Sequence, residues 1–142
     1  MSRWQTQSTR EAAVAPAAIW ESAYADVDAW PEWNDEIRSA ELDGPLALGA
    51  RARVRFETGL RLSFRVVEYD EGRVFTDESR LPGARMGHRH LLETVAAGTR
   101  LTNTIYIEGR LTWLWRRVLG PRAAQALPRA QERIVALSGG RR

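Results

Sequence analysis

The 142-residue sequence contains no cysteine and no lysine, and it has only two histidines. The missing cysteine excludes disulfide bonds, thiol nucleophiles and zinc sites built on thiolate ligands. No apolar run reaches the roughly 20 residues that a membrane-spanning helix needs, and the first residues lack the apolar core of a signal peptide. Walker, strand-linked G-x-G-x-x-G and G-x-S-x-G motifs are absent too, so nucleotide-dependent and triad hydrolase mechanisms have no support. These absences predict a cytoplasmic protein.

The residues that are present are typical of a folded domain. Hydrophobic residues make up 44% of the chain and charged residues 27%, and the chain is long enough to bury a substantial core. We predict one domain that spans residues 1–142. Arginines and acidic residues are interleaved along the chain, so the net charge of +3 favours no nucleic-acid partner.

The period of the apolar residues changes along the chain. Loose alternation over residues 4–14 predicts a first strand, and the next residues predict two short helices, one beginning at Pro16 and one near residues 30–35. Turn residues then separate six segments with a period of two, which we predict as strands over residues 37–42, 50–57, 60–69, 73–80, 85–95 and 100–108. Residues 50–57 and 60–69 alternate between an apolar and a polar face, which indicates an antiparallel sheet with one dry face.

After Gly109 the pattern becomes helical. An apolar stripe with spacings of three and four predicts one long C-terminal helix; its members are Leu119, Ala123, Leu127, Ala130, Ile134 and Leu137. Gly120-Pro121 predicts a break or restart of this helix, and Pro128 predicts a bend. If the sheet curls around the helix, small residues such as Ala52 and Ala126 on the facing surfaces would leave an apolar ligand cavity.

The order of elements and four short stretches resemble the START-like superfamily, also called SRPBCC, and within it the bacterial polyketide cyclase/dehydrase-like branch. The stretches are Ala25-Asp26-Val27-Asp28-Ala29-Trp30-Pro31-Glu32-Trp33-Asn34, Glu41-Leu42-Asp43-Gly44, Leu81-Pro82-Gly83-Ala84-Arg85-Met86 and Gly98-Thr99-Arg100-Leu101-Thr102. The resemblance implies an α+β helix-grip fold, β-α-α-β(6)-α, in which a curved antiparallel sheet wraps around a long C-terminal helix and encloses a hydrophobic cavity. Because one fold hosts many chemistries, the resemblance does not specify a reaction.

The two histidines form a candidate site. His88 and His90 alternate on a predicted strand, so they share one face about 6.5 Å apart. Leu92 has the same parity, which predicts that this face points inward, near Asn103 of the neighbouring strand. A neutral imidazole there could act as a general base; the alternatives are hydrogen-bonded packing, or exposure if the register differs by one residue. No third ligand is spaced to complete a metal site, and no cofactor is predicted.

Other residues could add chemistry. Asp77 and Glu78 are neighbours on one strand and point to opposite faces, so only the inward one is a candidate acid or base. Arg85 and Arg89 could hold a ligand carboxylate or phosphate, or could lie at the surface. The complete set of predicted ligand contacts is Trp33, Ala52, Val54, Phe56, Leu62, Phe64, His88, His90, Asn103, Ile105, Ala126 and Ala130.

Three functions are consistent with these features. The first is binding of a small hydrophobic or aromatic molecule, lipid-like or polyketide-like, in the cavity, with Trp33 beside its entrance. The second is a polyketide cyclase/dehydrase-type enzyme with His88 or His90 as base and Asn103 orienting a carbonyl. The third, implied by relatives that resemble ribosome-directed toxins or quinone chaperones, is macromolecule binding through Arg116, Arg117, Arg122 and Arg129. The edges of a strand meander also make a homodimer possible.

Overall fold

A computed structural model describes residues 2–139 of the chain. Strand β1 (Ser2–Ala12) is followed by helices α1 (Pro16–Ile19) and α2 (Trp30–Trp33), six further strands, and helix α3 (Thr112–Leu137). The six strands are β2 (Ile37–Leu42), β3 (Arg51–Phe56), β4 (Arg61–Asp70), β5 (Val74–Leu81), β6 (Ala84–Val95) and β7 (Gly98–Gly109). The predicted order of elements and the α+β helix-grip architecture are confirmed.

All seven strands form one antiparallel sheet in the order β1-β7-β6-β5-β4-β3-β2. Strands β2 to β7 are joined as consecutive hairpins, whereas β1 crosses to the far edge and pairs with β7 from Ser2 opposite Gly109 to Ala12 opposite Thr99. Gly98, with φ of 138°, closes the β6–β7 hairpin in a conformation that disfavours other residues. The sheet edges are therefore β1 and β2, and α3 covers the concave face.

Aromatic side chains from the short helices fill one end of that face. α1 continues into a π-helical turn, Trp20–Tyr24, in which the Ala25 N–H donates to the Trp20 carbonyl at 2.8 Å. This turn directs Trp20 and Tyr24 inward, where both are buried. The ring of Phe75 in β5 lies 5.8 Å from that of Trp20 and 5.3 Å from that of Tyr24, between centroids. Offset and edge-to-face contacts of this kind stabilise a core beyond their buried area.

The two tryptophans of α2 belong to the same core. Trp30 is 4% and Trp33 3% exposed. The indole N–H of Trp30 donates to the Tyr24 carbonyl at 3.0 Å, and that of Trp33 to the Ala23 carbonyl at 2.8 Å. The prediction that Trp33 stands beside a cavity entrance is wrong, because a buried indole needs a partner for its N–H and finds it in the backbone of the π-helical turn.

Helix α3 is continuous where the sequence predicts a break. The single helix Thr112–Leu137 includes both Pro121 and Pro128. Gly120 is buried, and a Cβ atom on it would lie 3.2 Å from Cζ2 of Trp4 in β1. The predicted break at Gly120-Pro121 is wrong, because close packing of the helix on β1 offsets the backbone hydrogen bond that the proline removes.

A buried glutamine attaches α3 to the sheet. Gln131 is 1% exposed and lies on the apolar stripe between Leu127 and Ile134. Its Nε2 donates to the Ser8 carbonyl at 2.8 Å and to Asn103 Oδ1 at 2.9 Å, and its Oε1 accepts from the Ser8 hydroxyl at 2.8 Å. One side chain therefore joins α3 to β1 and β7, the two strands that the helix approaches most closely.

We predict that Gln131→Ala lowers the free energy of unfolding by about 2–4 kcal/mol, because it leaves a cavity and several unsatisfied buried polar groups. The matched control is Gln125→Ala on the exposed side of α3, which should change the same quantity by less than about 0.5 kcal/mol. Urea unfolding followed by tryptophan fluorescence measures both. Equal effects of the two substitutions would contradict the attachment role of Gln131.

Candidate functional site

A row of polar side chains crosses the middle of the concave face. Asp77 of β5 pairs with His88 of β6, and His90 of β6 pairs with Asn103 of β7. Paired residues of antiparallel strands share one face. Leu92, two residues after His90, is 1% exposed beneath the helices, so both histidines face inward.

His90 is enclosed by rings. It is 2% exposed, and its ring stacks between those of Phe75 and His88, with centroid distances of 4.2 Å and 3.8 Å. The rings of Tyr24 and Trp33 lie 5.0 Å and 5.9 Å from it. A side chain this enclosed cannot reach a ligand directly, so His90 acts as part of the core.

Hydrogen bonds determine the tautomer of His90. Asn103 Oδ1 accepts from Gln131, so its Nδ2 group is the donor to His90 Nδ1, at 3.1 Å. The neutral imidazole therefore carries its proton on Nε2. This atom faces Asp77 Oδ2 at 3.9 Å, which is too long for a hydrogen bond but close enough for the N–H dipole to favour the carboxylate.

His88 is the histidine with a free nitrogen. The side chain is half-buried, and its Nε2 has no hydrogen-bond partner within residues 2–139. Burial, with a smaller contribution from His90, holds the pKa of His88 well below its usual value. Burial also lowers the pKa of His90 to about 3. Both rings are neutral at pH 7, and a buried nitrogen without a partner is suited to a polar group of a ligand.

Asp77 is the inward member of the acidic pair. Glu78 points to the convex face, where it accepts a hydrogen bond from the Tyr106 hydroxyl. Asp77 has no hydrogen bond to the described part of the chain, and burial raises its pKa to about 6, against a smaller opposing effect of His88. The Tyr24 hydroxyl, near Asn103 but without hydrogen-bonding geometry, is also buried and unpartnered among residues 2–139. Three polar groups of the concave face, the Tyr24 hydroxyl, the Asp77 carboxyl and His88 Nε2, thus have no hydrogen-bond partner among residues 2–139.

The predicted ligand contacts divide into two groups by exposure. The buried group lies within the core and consists of Trp33, Ala52, Val54, His90 and Asn103. The half-buried group consists of Phe56, Leu62, Phe64, His88, Ile105, Ala126 and Ala130. Packing beneath the short helices therefore fills the concave face at one end of the sheet, whereas β4 begins and β5 ends at the other end.

A cleft of about 1000 Å³ opens at that other end, opposite the short helices. It is lined by the beginnings of β4 and β6 and the ends of β5 and β7. Of the predicted contacts, Leu62 and Phe64 line this cleft, and the histidines do not. The sequence gives no sign of the cleft, because it forms where two strands separate rather than at a motif.

The two arginines near the histidines are engaged in ion pairs on the convex face. Arg89 Nε lies 2.9 Å from Glu68 Oε1, and Arg85 Nη2 lies 2.8 Å from Glu108 Oε1. The Arg89 hydrogen bonds are the main cause of a lowered pKa of Glu68. Neither guanidinium reaches the polar row on the concave face.

Acidic side chains interrupt the predicted basic patch on α3. Arg129 lies 3.0 Å from Asp35 and Arg122 lies 3.8 Å from Glu36, between charged atoms.

In the described part of the chain no helix is long and apolar enough to cross a membrane. The same residues contain no cluster of three His, Asp or Glu side chains arranged to hold a metal ion.

Two residues of the site, Gln131 and Tyr24, are not among those predicted from the sequence. Gln131 could have been predicted from the sequence, because a polar residue between Leu127 and Ile134 interrupts the apolar stripe and must find partners when buried. Tyr24 could not have been predicted, since its inward orientation depends on the π-helical turn.

We predict that Asp77→Asn stabilises the protein at pH 8 and not at pH 3.5. The pKa of Asp77 is about 6 in the folded protein, above its ordinary value of 3.8. The ionised carboxylate therefore destabilises the fold increasingly as pH rises from about 4 to 6, by roughly 2–3 kcal/mol at most. Thermal unfolding of both proteins across this range measures the difference, and a pH-independent difference would contradict the buried-carboxylate assignment.

Comparison with known proteins agrees with this fold. The model of the family described as "Polyketide cyclase / dehydrase and lipid transport" matches residues 3–138. No curated protein matches the sequence.

Several solved structures share the fold. Protein MLL2253 from Mesorhizobium loti has a TM-score of 0.73 at 19% identity, over 94% of this chain and 96% of its own. Ara h 8.0201 has a TM-score of 0.68 at 13% identity, over 95% of this chain and 99% of its own. The di-domain ARO/CYC StfQ from the steffimycin biosynthetic pathway has a TM-score of 0.77 at 12% identity, over 96% of this chain and 51% of its own. With the family match and the helix-grip architecture together, the chain belongs to the SRPBCC-type polyketide cyclase/dehydrase and lipid transport family.

Proposed function

We propose that the protein binds a small hydrophobic or aromatic molecule on the concave face, in the open part between α3 and the sheet. One observation carries this proposal: apolar side chains on the concave face of the sheet and on α3 stay half-buried, among them Phe64, Ile105 and Ala126. Apolar walls with a few polar groups are typical of sites for such ligands.

The polar row would orient the ligand. His88 Nε2 lacks a partner within the described residues, and the Asp77 carboxyl lies on the same face. A carbonyl or hydroxyl group of the ligand would bond one of these groups, while the apolar remainder packs against the walls. The family description includes lipid transport, and StfQ belongs to the biosynthetic pathway of steffimycin; both support a ligand of this class.

We predict that Ala126→Phe weakens binding of the neutral fluorescent probe N-phenyl-1-naphthylamine by about tenfold or more, because the added ring occupies the space between helix and sheet. The matched control is Ala124→Phe on the exposed face of α3, which should bind the probe like the unmodified protein. Fluorescence titration measures the dissociation constants.

Thermal unfolding of both variants establishes that each is folded. Absence of probe binding to the unmodified protein, or equal binding to both folded variants, would contradict the proposed site.

A second candidate function is ring closure of a polyketide, favoured by the neutral His88, whose Nε2 has no hydrogen-bond partner among residues 2–139. Its Nε2 would remove a proton from a methylene group between two carbonyls. The resulting carbanion would attack a further carbonyl of the same chain, and the imidazolium would return the proton to the new alkoxide. Holding the chain folded would contribute much of the rate.

We predict that His88→Gln lowers the rate of cyclisation of a linear poly-β-keto thioester by about 100-fold, as expected for loss of a general base, while binding of the naphthylamine probe persists. Because the pKa of His88 is lowered, the unmodified protein should keep its activity as pH falls from 7 to about 5. Chromatographic separation of the cyclic product from its linear isomer, with mass spectrometry to identify both, gives the rate, with Gln125→Ala as control. An undiminished rate in His88→Gln would exclude this role.

A cytoplasmic location and a homodimer stay predictions from the sequence. For dimerisation, the free edges of β1 and β2 are the available pairing surfaces. Analytical ultracentrifugation of the purified protein would determine its oligomeric state.

A further inference from the structure

The cleft at the end of the sheet opposite the short helices forms because β4 and β5 separate. The two strands are paired from Asp70 opposite Val74 to Arg65 opposite Glu78, and the pairing stops there. The remaining residues of β4 pair only with β3, and the last residues of β5 pair only with β6. The cleft of about 1000 Å³ lies between these separated ends.

One wall of the cleft is apolar and continues toward the polar row. Leu62, Phe64 and Leu81 line it, together with the buried Ser79. Ser79 and Asp77 are two residues apart on one strand and share its concave face, which places them roughly 7 Å apart. A molecule that enters the cleft along this wall would therefore approach Asp77 and His88.

The rest of the cleft is strongly basic. Seven arginines and two glutamates line it, a net charge of +5 against +3 for the whole chain. Both glutamates already have partners: Glu108 pairs with Arg3 and Arg85, and Glu78 accepts from Tyr106. The other arginines of the lining form no ion pair with any carboxylate in the described part of the chain; they are Arg51, Arg61, Arg65, Arg80 and Arg110.

The register of the strands places two pairs of cleft arginines directly opposite each other. Arg51 lies directly opposite Arg65, and Arg80 directly opposite Arg85. Like charges directly opposite each other destabilise a pair of strands. An anion between them would remove this repulsion, and guanidinium groups bind carboxylate and phosphate through paired N–H donors.

We propose that the cleft binds an amphipathic anion, whose carboxylate or phosphate group is held by Arg51, Arg65 and Arg80 and whose apolar part lies over Leu62 and Phe64. This inference rests on the proposed function and narrows its ligand class from hydrophobic molecules to those with one acidic end. The three arginines lie on the convex face, because Arg51 pairs with Arg65, Arg65 with Glu78 and Arg80 with Arg85. The acidic group therefore stays at the convex mouth of the cleft, in contact with water. The apolar part passes between the separated ends of β4 and β5, over Leu62 and Phe64 and toward the concave face that carries His88.

The test compares three ligands with the same alkyl chain: decanoate, decyl phosphate and decan-1-ol. Each competes with N-phenyl-1-naphthylamine for the protein in low salt, and inorganic phosphate is titrated separately by calorimetry. We expect both anions to bind about tenfold or more tightly than the alcohol, in line with charge-assisted bidentate contacts. Added sodium chloride should weaken binding of the anions and leave the alcohol unchanged.

The double substitution Arg65→Gln/Arg80→Gln should lower the affinity for decanoate to that for decan-1-ol and leave the alcohol unaffected. Arg10→Gln, at an exposed arginine of β1 outside the cleft, is the matched control and should change neither. Because Arg65→Gln removes a like-charge pair, it should not lower the melting temperature.

The outcomes separate this inference from the proposed function. Equal binding of decanoate and decan-1-ol, or unchanged decanoate binding in the double variant, overturns the anion site and leaves the hydrophobic site standing. Inorganic phosphate that binds as tightly as decyl phosphate overturns the amphipathic ligand in favour of a small anion. If neither the alkyl ligands nor the naphthylamine bind, the proposed function itself fails.

Discussion

The packing of the interior depends on the hydrogen bonds of the Gln131 side-chain amide. Its N–H and carbonyl groups are buried with those of Ser8 and Asn103, and leaving any of them unpaired would cost about 1–3 kcal/mol. This requirement sets the position of α3 on β1 and β7. It also orients the amide of Asn103, which in turn selects the Nε2–H tautomer of His90. The chemistry of the site thus begins at a residue that contacts no proposed ligand.

Aromatic packing decides where the fold stays open. The rings of Trp20, Tyr24, Trp33 and Phe75 occupy one end of the concave face and enclose His90. His88, two residues before His90 on β6, lies outside this cluster, and its Nε2 has no hydrogen-bond partner among the described residues. Two histidines of the same strand face thereby differ in their surroundings: His90 is enclosed in the core, whereas His88 is half-buried.

At the end of the sheet opposite the short helices, like charges lie across from each other and destabilise the pairing of the strands. Arg51 lies directly opposite Arg65, and the two glutamates of the cleft already have partners: Arg85 for Glu108 and the Tyr106 hydroxyl for Glu78. Natural proteins tolerate such unfavourable arrangements where function uses them. The cleft arginines lie on the convex face and the polar row on the concave face, and the gap between the ends of β4 and β5 connects the two. This arrangement is consistent with a ligand whose acidic end is held on the convex side and whose apolar part reaches toward the polar row.

The order of elements follows from the sequence alone, because the change of the apolar period from two residues to spacings of three and four depends only on which faces of the elements are buried. Strand parity likewise placed His88 and His90 on one face and separated Asp77 from Glu78. Parity alone did not identify the inward face of β5 at Asp77, because that depends on the pairing of Asp77 with His88 of β6. It also did not show that the aromatic corner around Trp33 was filled, which depends on the π-helical turn and on the docking of α2. The break predicted at Gly120-Pro121 failed because Trp4, distant in sequence, packs against that glycine. The cleft was decided only in the tertiary structure: the register of β4 and β5 shifts between Val66 and Glu68 and their pairing ends at Arg65, and no local pattern of residues encodes where two strands part.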